Sequence, residues 1–364
     1  MTAHNIPDTP EIREKIDKIQ ADSLKRMGLE TNKVAIWEDG YRASKDEANT
    51  FEWWYFDMQL DDGSTFVVTF TNKPHTQPNG PIKPSVLLIY RGTKGQNYRK
   101  NISFKADQFS SSTLECDVKI GCNNIKGDLK TYKLHIEEDR FVIDLKIERK
   151  APSWRPGAGI SYFNSSKSEY LGWVVPVPYG IVNGTIVDKG VSRKVKGSAY
   201  HDHNWGNKVM NSMLDHWYWG RAHIEDFTVV YVRMTTKGLF GFGSVNIPTI
   251  MLAKGNRIIT DDMIPLRLKT SGDKPGPGQQ TYPTDLLWTW KKGKDTISMH
   301  ITNPQMIESL DMLDDTASWK KPIIHLFEHP MYYDFNADMK LSININSINE
   351  TVVGRTLYEK MMFR

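Results

Sequence analysis

Ten consecutive residues, Gly197-Ser198-Ala199-Tyr200-His201-Asp202-His203-Asn204-Trp205-Gly206, hold two imidazoles, a carboxylate, a carboxamide, a phenol and an indole. Such a density of polar and aromatic groups either shapes a site or locks a buried network. Run as a strand, the segment would send Tyr200, Asp202 and Asn204 to one face and His201, His203 and Trp205 to the other, because side chains alternate with a period of two. One face is then acid, amide and phenol, and the other is imidazole and indole. An acid enclosed by apolar surroundings can be kept protonated and used as a proton donor. His203 or Asn204 would orient a water beside it.

Two aromatic blocks add to this. Glu52-Trp53-Trp54-Tyr55-Phe56 leads past Asp61-Asp62 into Phe66-Val67-Val68, and Asp215-His216-Trp217-Tyr218-Trp219 leads past Glu225-Asp226 into Phe227-Thr228-Val229-Val230. An internal echo of this kind points to two related β domains. Alternation places Glu52, Trp54 and Phe56 on one strand face and Asp215, Trp217, Trp219 and Arg221 on the equivalent face of the second half. Indoles filling two cores would explain the pattern without any ligand. A carboxylate beside large aromatics in both halves fits better with a small-molecule pocket, apolar-walled with a polar handle. That pocket is expected to be lined by Trp54, Trp217, Trp219 and Tyr231, with Glu52 at its polar end.

His201-x-His203 would aim two imidazoles the same way, as two metal ligands must. A third ligand would have to come from His216, His223, His325, His329 or a carboxylate, and no CxxC or HExxH pattern accompanies the pair. Hydrogen bonding is the expected role, with no metal; a purely structural polar corner is the alternative. GxSxG, Walker A and helix-opening GxGxxG signatures are missing, so acyl transfer, phosphoryl transfer and nicotinamide chemistry fall away. A formal charge of +4 over 364 residues, with scattered basic groups, gives no stripe for nucleic acid. No run is long and apolar enough for stable membrane insertion. Cys116 and Cys122 are the only cysteines, and without a secretion signal they read as free thiols of a cytoplasmic protein.

The elements that position these groups are mostly strands. Thr9 as N-cap, Pro10 at the first position, Ile12, Ile16 and Ile19 at helical spacing and Gly28 as a stop predict one helix over 10–27. Phe66, Val68 and Phe70, then Phe141, Ile143, Leu145 and Ile147, then Met339, Leu341, Ile343 and Ile345 alternate with other residues as one-face-buried strands do. Asp61-Asp62-Gly63, Lys254-Gly255-Asn256 and Lys292-Gly293-Lys294 read as turns, Ser271 to Pro283 as a loop, and Gly238 to Gly243 as strand or turn. Many short strands separated by turns mean antiparallel sandwich or barrel architecture.

Glu52 to Phe56, Tyr200 to Gly206 and Trp217 to Arg221 together resemble the carotenoid 1,2-hydratase (hydroxyneurosporene synthase) and AttH-like superfamily, which includes kievitone hydratase and fungal decalin-forming Diels–Alderases. The resemblance implies an all-β fold of two lipocalin-like antiparallel β-barrel domains in tandem with a short N-terminal helix: residues 1–30, 31–206 and 207–364. It implies an enzyme acting without a cofactor on carbon–carbon double bonds of a hydrophobic isoprenoid or polyene, by acid-assisted hydration or cyclisation. Glu52, Asp202 and His203 are the catalytic candidates; Trp54, Trp205, Trp217, Trp219, Arg221 and Tyr231 are the substrate-binding ones. A pericyclic cyclase, with Glu52 and Arg221 anchoring a polar head, and a non-catalytic carrier of a lipophilic ligand are the alternatives.

Overall fold

The computed structural model describes residues 9–31, 33–43, 49–238, 243–311 and 330–363. The chain divides into two compact units, one of Ile19–Tyr162 and Ser166–Met210, the other of Met1–Lys18, Phe163–Ser165 and Asn211–Arg364. His325, His329 and most of Gly238 to Gly243 lie outside the described residues.

The expected helix spans Pro10–Met27. The Ile12 amide reaches Thr9 Oγ1 at 3.4 Å, and Gly28 takes φ +65°, the left-handed conformation that a glycine adopts at least cost. Within the second unit the guanidinium of Arg13 donates to the carbonyls of Met263 and Ile264. Within the first unit Gln20 donates to the Ile160 carbonyl and accepts from the Ala158 amide.

The first unit is an antiparallel sheet. Its strands are β1 (Phe51–Leu60), β2 (Thr65–Thr71), β3 (Ser85–Arg91), β4 (Asn97–Ser103), β5 (Phe109–Ser111) and β6 (Cys116–Ile120). They continue with β7 (Asn123–Gly127), β8 (Thr131–Glu138), β9 (Phe141–Arg149), β10 (Ile160–Tyr162), β11 (Tyr170–Asp188) and β12 (Val191–Gly206). The hydrogen-bonded order is β4-β3-β2-β1-β12-β11-β9-β8-β7-β6-β5, with β10 on β11. The sheet curls, since Tyr98 on one end strand and Phe109 on the other pack on one shared core. That core takes the residues alternation assigns to it: Phe66, Val68, Phe70, Phe141, Ile143, Leu145 and Ile147.

The second unit repeats the plan. Its strands are β13 (Leu214–Ile224), β14 (Phe227–Thr236), β15 (Asn246–Lys254), β16 (Arg257–Thr260) and β17 (Leu266–Pro275). The rest are β18 (Thr281–Lys292), β19 (Asp295–Asp311), β20 (Met331–Ile345) and β21 (Ile348–Met362). The order β16-β15-β14-β13-β21-β20-β19-β18-β17 has the same form: a meander of four, the first strand paired to the last, then a meander back. Met339, Leu341, Ile343 and Ile345 face its core. This is the tandem lipocalin-like all-β fold. Ser271 to Pro283 departs from expectation, because Ser271 pairs with Asp285 and Asp273 with Pro283. Its Gly/Pro-rich composition suits an exposed hairpin at a sheet end, where unpaired neighbours and proline are tolerated.

Packing at Gly172 generates a test. A β-carbon there would fall 2.1 Å from the Trp205 indole, so Gly172→Ala must displace the ring. Urea unfolding is expected to register a loss of about 1–3 kcal/mol. Gly238→Ala, with nothing within 4 Å, is expected to leave the midpoint unchanged.

Candidate functional site

The site is organised by the pairing of β1 with β12. Glu52 lies opposite Trp205, Trp54 opposite His203 and Phe56 opposite His201, and between them Trp53 lies opposite Asn204, Tyr55 opposite Asp202 and Asp57 opposite Tyr200. Directly opposed residues share a face, so two polar clusters stand back to back across one strand pair. The first set faces the core of the unit; the second lies on the opposite face of the sheet, where Tyr200, Asp202 and Asp57 are also buried.

The inward cluster is a closed network. Glu52, His201 and His203 have no exposed surface and Asp39 is 1% exposed. The single-turn helix Ile36–Asp39 delivers Asp39. It is tied down by Arg155, whose Nε meets Glu38 Oε2 at 3.0 Å and whose guanidinium donates to the Lys33 and Glu30 carbonyls. His201 donates Nδ1–H to the Tyr55 carbonyl at 2.9 Å, and its Nε2 meets Asp39 Oδ2 at 3.2 Å. Tyr132 donates its hydroxyl to the same oxygen. His203 Nε2 meets Glu52 Oε1 at 2.7 Å, while its Nδ1 stands 3.5 Å from Asp39 Oδ1, too far for a good hydrogen bond. The Phe56 ring stacks on His201 with centroids 3.9 Å apart, and Trp54 on His203 at 4.7 Å. The Trp54 indole donates to the Asp39 carbonyl.

Burial decides the protonation of this network. Glu52 accepts the amide protons of Arg42 and Ala43, which favour the anion, yet desolvation outweighs them and pushes the carboxyl up to about 8. Desolvation holds His203 down at about 3. At neutral pH the protonated carboxyl faces a neutral imidazole, with one proton in the contact. Asp39, Cys116 and His201 offer ligand atoms within 4.8 Å of one another. Asp39 Oδ2 is already engaged by Tyr132 and His201, so the group reads as a hydrogen-bonded knot.

The outward cluster centres on Asp202, 8% exposed. Its Oδ2 accepts from Tyr200 Oη at 2.9 Å and from Trp173 Nε1 at 3.1 Å, and its Oδ1 accepts from Asn204 Nδ2 at 2.9 Å. All three donors favour the carboxylate, but burial again prevails and raises the acid to about 6. Trp173 lies opposite Asn204 on β11 and meets Trp154 edge-on at 5.4 Å. Trp53, Tyr55, Trp173 and Tyr200 therefore surround the acid on one face of three adjacent strands.

The expected site residues separate accordingly. His203, Trp205, Glu52 and Trp54 share the inner face, whereas Asp202 stands on the outer one, so Glu52 and Trp54 are not its neighbours. On β1 the tryptophan that shares the acid's face is Trp53, one position earlier, while the one that bonds the acid is Trp173 of β11. In the second unit Trp217, Trp219 and Arg221 do share a face, but it is the one away from the core, which takes Tyr218, Ala222 and Ile224. They are therefore not on the face equivalent to that of Glu52 and Trp54. Asp215 is an extra residue in β13, since Leu214 pairs with Thr236 and His216 with Thr235. Such a bulge shifts the phase by one and exchanges the faces. Tyr231 is a core residue, its hydroxyl 2.8 Å from Thr356 Oγ1 and its ring against Trp288, so it does not line a surface with Trp217 and Trp219. Trp217 donates to Glu359 Oε1 at 2.6 Å.

Asp39, Tyr132, Cys116, Trp53, Trp154 and Trp173 were not singled out by sequence reasoning. Trp173 carried a usable signal, an indole in a long β run (Tyr170–Asp188) close in sequence to its partner strand. Asp39 carried none, lying in a short turn without periodicity.

No family model matches the chain. It is 26% identical over 229 residues to a protein of Chlorobaculum tepidum named hydroxyneurosporene dehydrogenase, covering 53% of this chain and 59% of that one. It is 25% identical over 212 residues to the quinolone epoxide rearrangement protein asqO of Emericella nidulans, covering 50% and 54%. The chain thus spans little more than half the length of these curated relatives. Among solved structures it is similar to CghA with Sch210972 (TM-score 0.60, 11% identity, 86% of this chain and 89% of that one). It is similar also to AttH from Nitrosomonas europaea (0.58, 17%, 85% and 92%) and to kievitone hydratase from Nectria haematococca (0.54, 14%, 91% and 93%). At these identities the structures speak for the fold.

The Glu52–His203 contact predicts a pH dependence of stability. A carboxyl raised to about 8 in the fold holds a proton that the unfolded chain releases near 4.5, so its contribution is lost as pH rises through the folded value. His203 acts oppositely, but only below its ordinary value of 6.5. Between pH 6.5 and 8 the unfolding free energy is therefore expected to fall, by at most about 1.4 kcal/mol per pH unit. Glu52→Gln, less stable at pH 6.5, is expected to be flat across that window in urea titrations.

Proposed function

Because the chain belongs to the AttH-like and carotenoid hydratase-like superfamily, we propose that it is an enzyme using Asp202 as a proton donor to a carbon–carbon double bond. The substrate class is a hydrophobic isoprenoid or polyene, and the reaction is acid-assisted hydration or cyclisation with no cofactor. One observation carries the reading: Asp202 is raised to about 6 while held by three donors among aromatic rings. A carboxyl so placed can be protonated near neutral pH and leaves as an anion already solvated by Tyr200, Trp173 and Asn204.

The step balances simply. The carboxyl proton and the alkene π pair form a C–H bond, leaving a tertiary carbocation and the Asp202 carboxylate. The faces of Trp53, Tyr55 and Trp173 stabilise the cation through their quadrupoles. In hydration a water adds to the cation and returns its extra proton to the carboxylate; the Asn204 side-chain oxygen, left over once its amide donates to Asp202, orients that water. In cyclisation a second π bond of the substrate attacks the cation in place of water, and the new cation so formed loses a neighbouring C–H proton to the Asp202 carboxylate, giving a ring, a new double bond and the restored acid. The Chlorobaculum relative is named for hydroxyneurosporene, kievitone hydratase for a hydration and asqO for the rearrangement of an epoxide, and the proposal takes its substrate and reaction classes from these names. Glu52 is set aside as the acid because it is enclosed and faces the core.

The test is turnover of a panel of acyclic polyenes and prenyl epoxides, followed by mass spectrometry for water addition or isomerisation. Asp202→Asn keeps shape but cannot give a proton, so turnover is expected to fall about a hundred- to ten-thousand-fold with the fold intact. Full turnover in that variant would leave pericyclic cyclisation; ligand binding with no turnover by the parent would leave a carrier.

A second expectation concerns pH. The acid must be protonated, so turnover should decline as pH rises through about 6. Trp173→Phe removes a donor that lowers the acid's value, so the descending limb is expected to move to higher pH. A limb that stays in place would separate Asp202 from the titration that limits turnover.

A further inference from the structure

We propose that His201 and Asp39, on the opposite face of the sheet from the acid, are positioning residues that set the geometry of Asp202. The inference rests on the reading of Asp202 as proton donor. Asp202 lies directly opposite Tyr55, and it is the Tyr55 carbonyl that accepts Nδ1–H of His201 at 2.9 Å. His201 precedes Asp202 in the chain. The imidazole thus fastens the acid's own strand to the partner strand at the acid's level, from the far side.

The imidazole is itself held on every side. Its plane is fixed by Phe56, stacked at 3.9 Å and 5°, and by the edge of Tyr132 at 4.8 Å. Its Nε2 is fixed by Asp39 Oδ2, which also accepts from the Tyr132 hydroxyl. A carbonyl only accepts, so Nδ1 carries a proton, and the contact of Nε2 with a carboxyl oxygen needs another. Asp39 is anchored in turn by Trp54 Nε1 on its carbonyl. On the other side of Asp202, His203 is gripped by Glu52 and by the face of Trp54. Both chain neighbours of the acid are therefore locked into a packed interior, while the acid projects the other way. A displacement of about 1 Å at the reacting atoms can cost about a hundredfold in rate, so a network without access to substrate still has kinetic leverage.

His201→Phe keeps the stacked ring and removes both hydrogen bonds. On the best substrate of the panel, kcat is expected to fall about tenfold to a hundredfold with KM little changed, in protein whose circular dichroism matches the parent. Asp39→Asn, with its amide nitrogen in the place of Oδ2, can donate one hydrogen to Nε2 and the other to the Tyr132 hydroxyl oxygen, so it is expected to retain most of kcat. Should His201→Phe not fold, Tyr132→Phe removes a single donor to Asp39 and is expected to lower kcat about fivefold, again without moving KM. Unchanged kcat in folded His201→Phe, or in Tyr132→Phe where the former is unfolded, would overturn the positioning role. A rise in KM with kcat preserved would overturn it equally. Asp202→Asn, measured alongside, separates the two ideas: full turnover there removes the acid, whereas loss there with intact kcat in His201→Phe removes the positioning role alone.

Discussion

The period of two along one antiparallel strand pair is the constraint on which the rest depends. Because β1 and β12 pair without a register shift, every second residue of Tyr200 to Trp205 enters the core and every other one leaves it. A single-residue slip would carry Asp202 inward and His201 and His203 outward. The inner polar knot makes such a slip expensive, since each of its groups would lose a partner that water could not replace. Unmade hydrogen bonds of buried groups cost about 1–3 kcal/mol each, more when charged. On the proposed reading of Asp202, fold specificity and chemistry share one source, because alternate residues of a single strand serve each.

The same competition between desolvation and hydrogen bonding acts on both carboxyls with different consequences. Glu52 is offered two backbone amides and a histidine, Asp202 a phenol, an indole and an amide. In both, burial prevails and the acid is raised. Glu52, at about 8 and wholly enclosed, stays protonated over most of the physiological range and presents no surface to a substrate. Asp202, nearer 6 and at the edge of its enclosure, sits where both protonation states are accessible. That difference, more than the identity of the side chains, is why the proposal gives proton transfer to Asp202 and not to Glu52.

Much of this was legible in the sequence. The helix at Pro10, the core faces of Phe141 to Ile147 and Met339 to Ile345, and the division of Tyr200 to Trp205 between two faces follow from local periodicity. Which tryptophan of β1 shares the face of Asp202 did not follow. Trp53 and Trp54 are adjacent and chemically alike, and only the register with Asn204 and His203 tells them apart. Asp39 reaches the histidines from a turn more than 160 positions away, a distance over which no periodic signal acts. The Trp217 block misled for a related reason: residue types echo the first block, but the extra residue at Asp215 reverses which of them face the core.

The echo survives at another level. In the second unit the last strand again pairs with the first, and on the outer face of that pair Glu359 accepts the indole proton of Trp217, as Asp202 accepts that of Trp173. A carboxyl–indole contact thus recurs beside the first–last strand pair of both sheets. The surroundings differ. Asp202 is flanked by Tyr200 and Asn204, both bonded to it, and is nearly enclosed, whereas Glu359 is half-buried. The repeated strand order thus presents one kind of contact twice, nearly enclosed in the first unit and half-buried in the second.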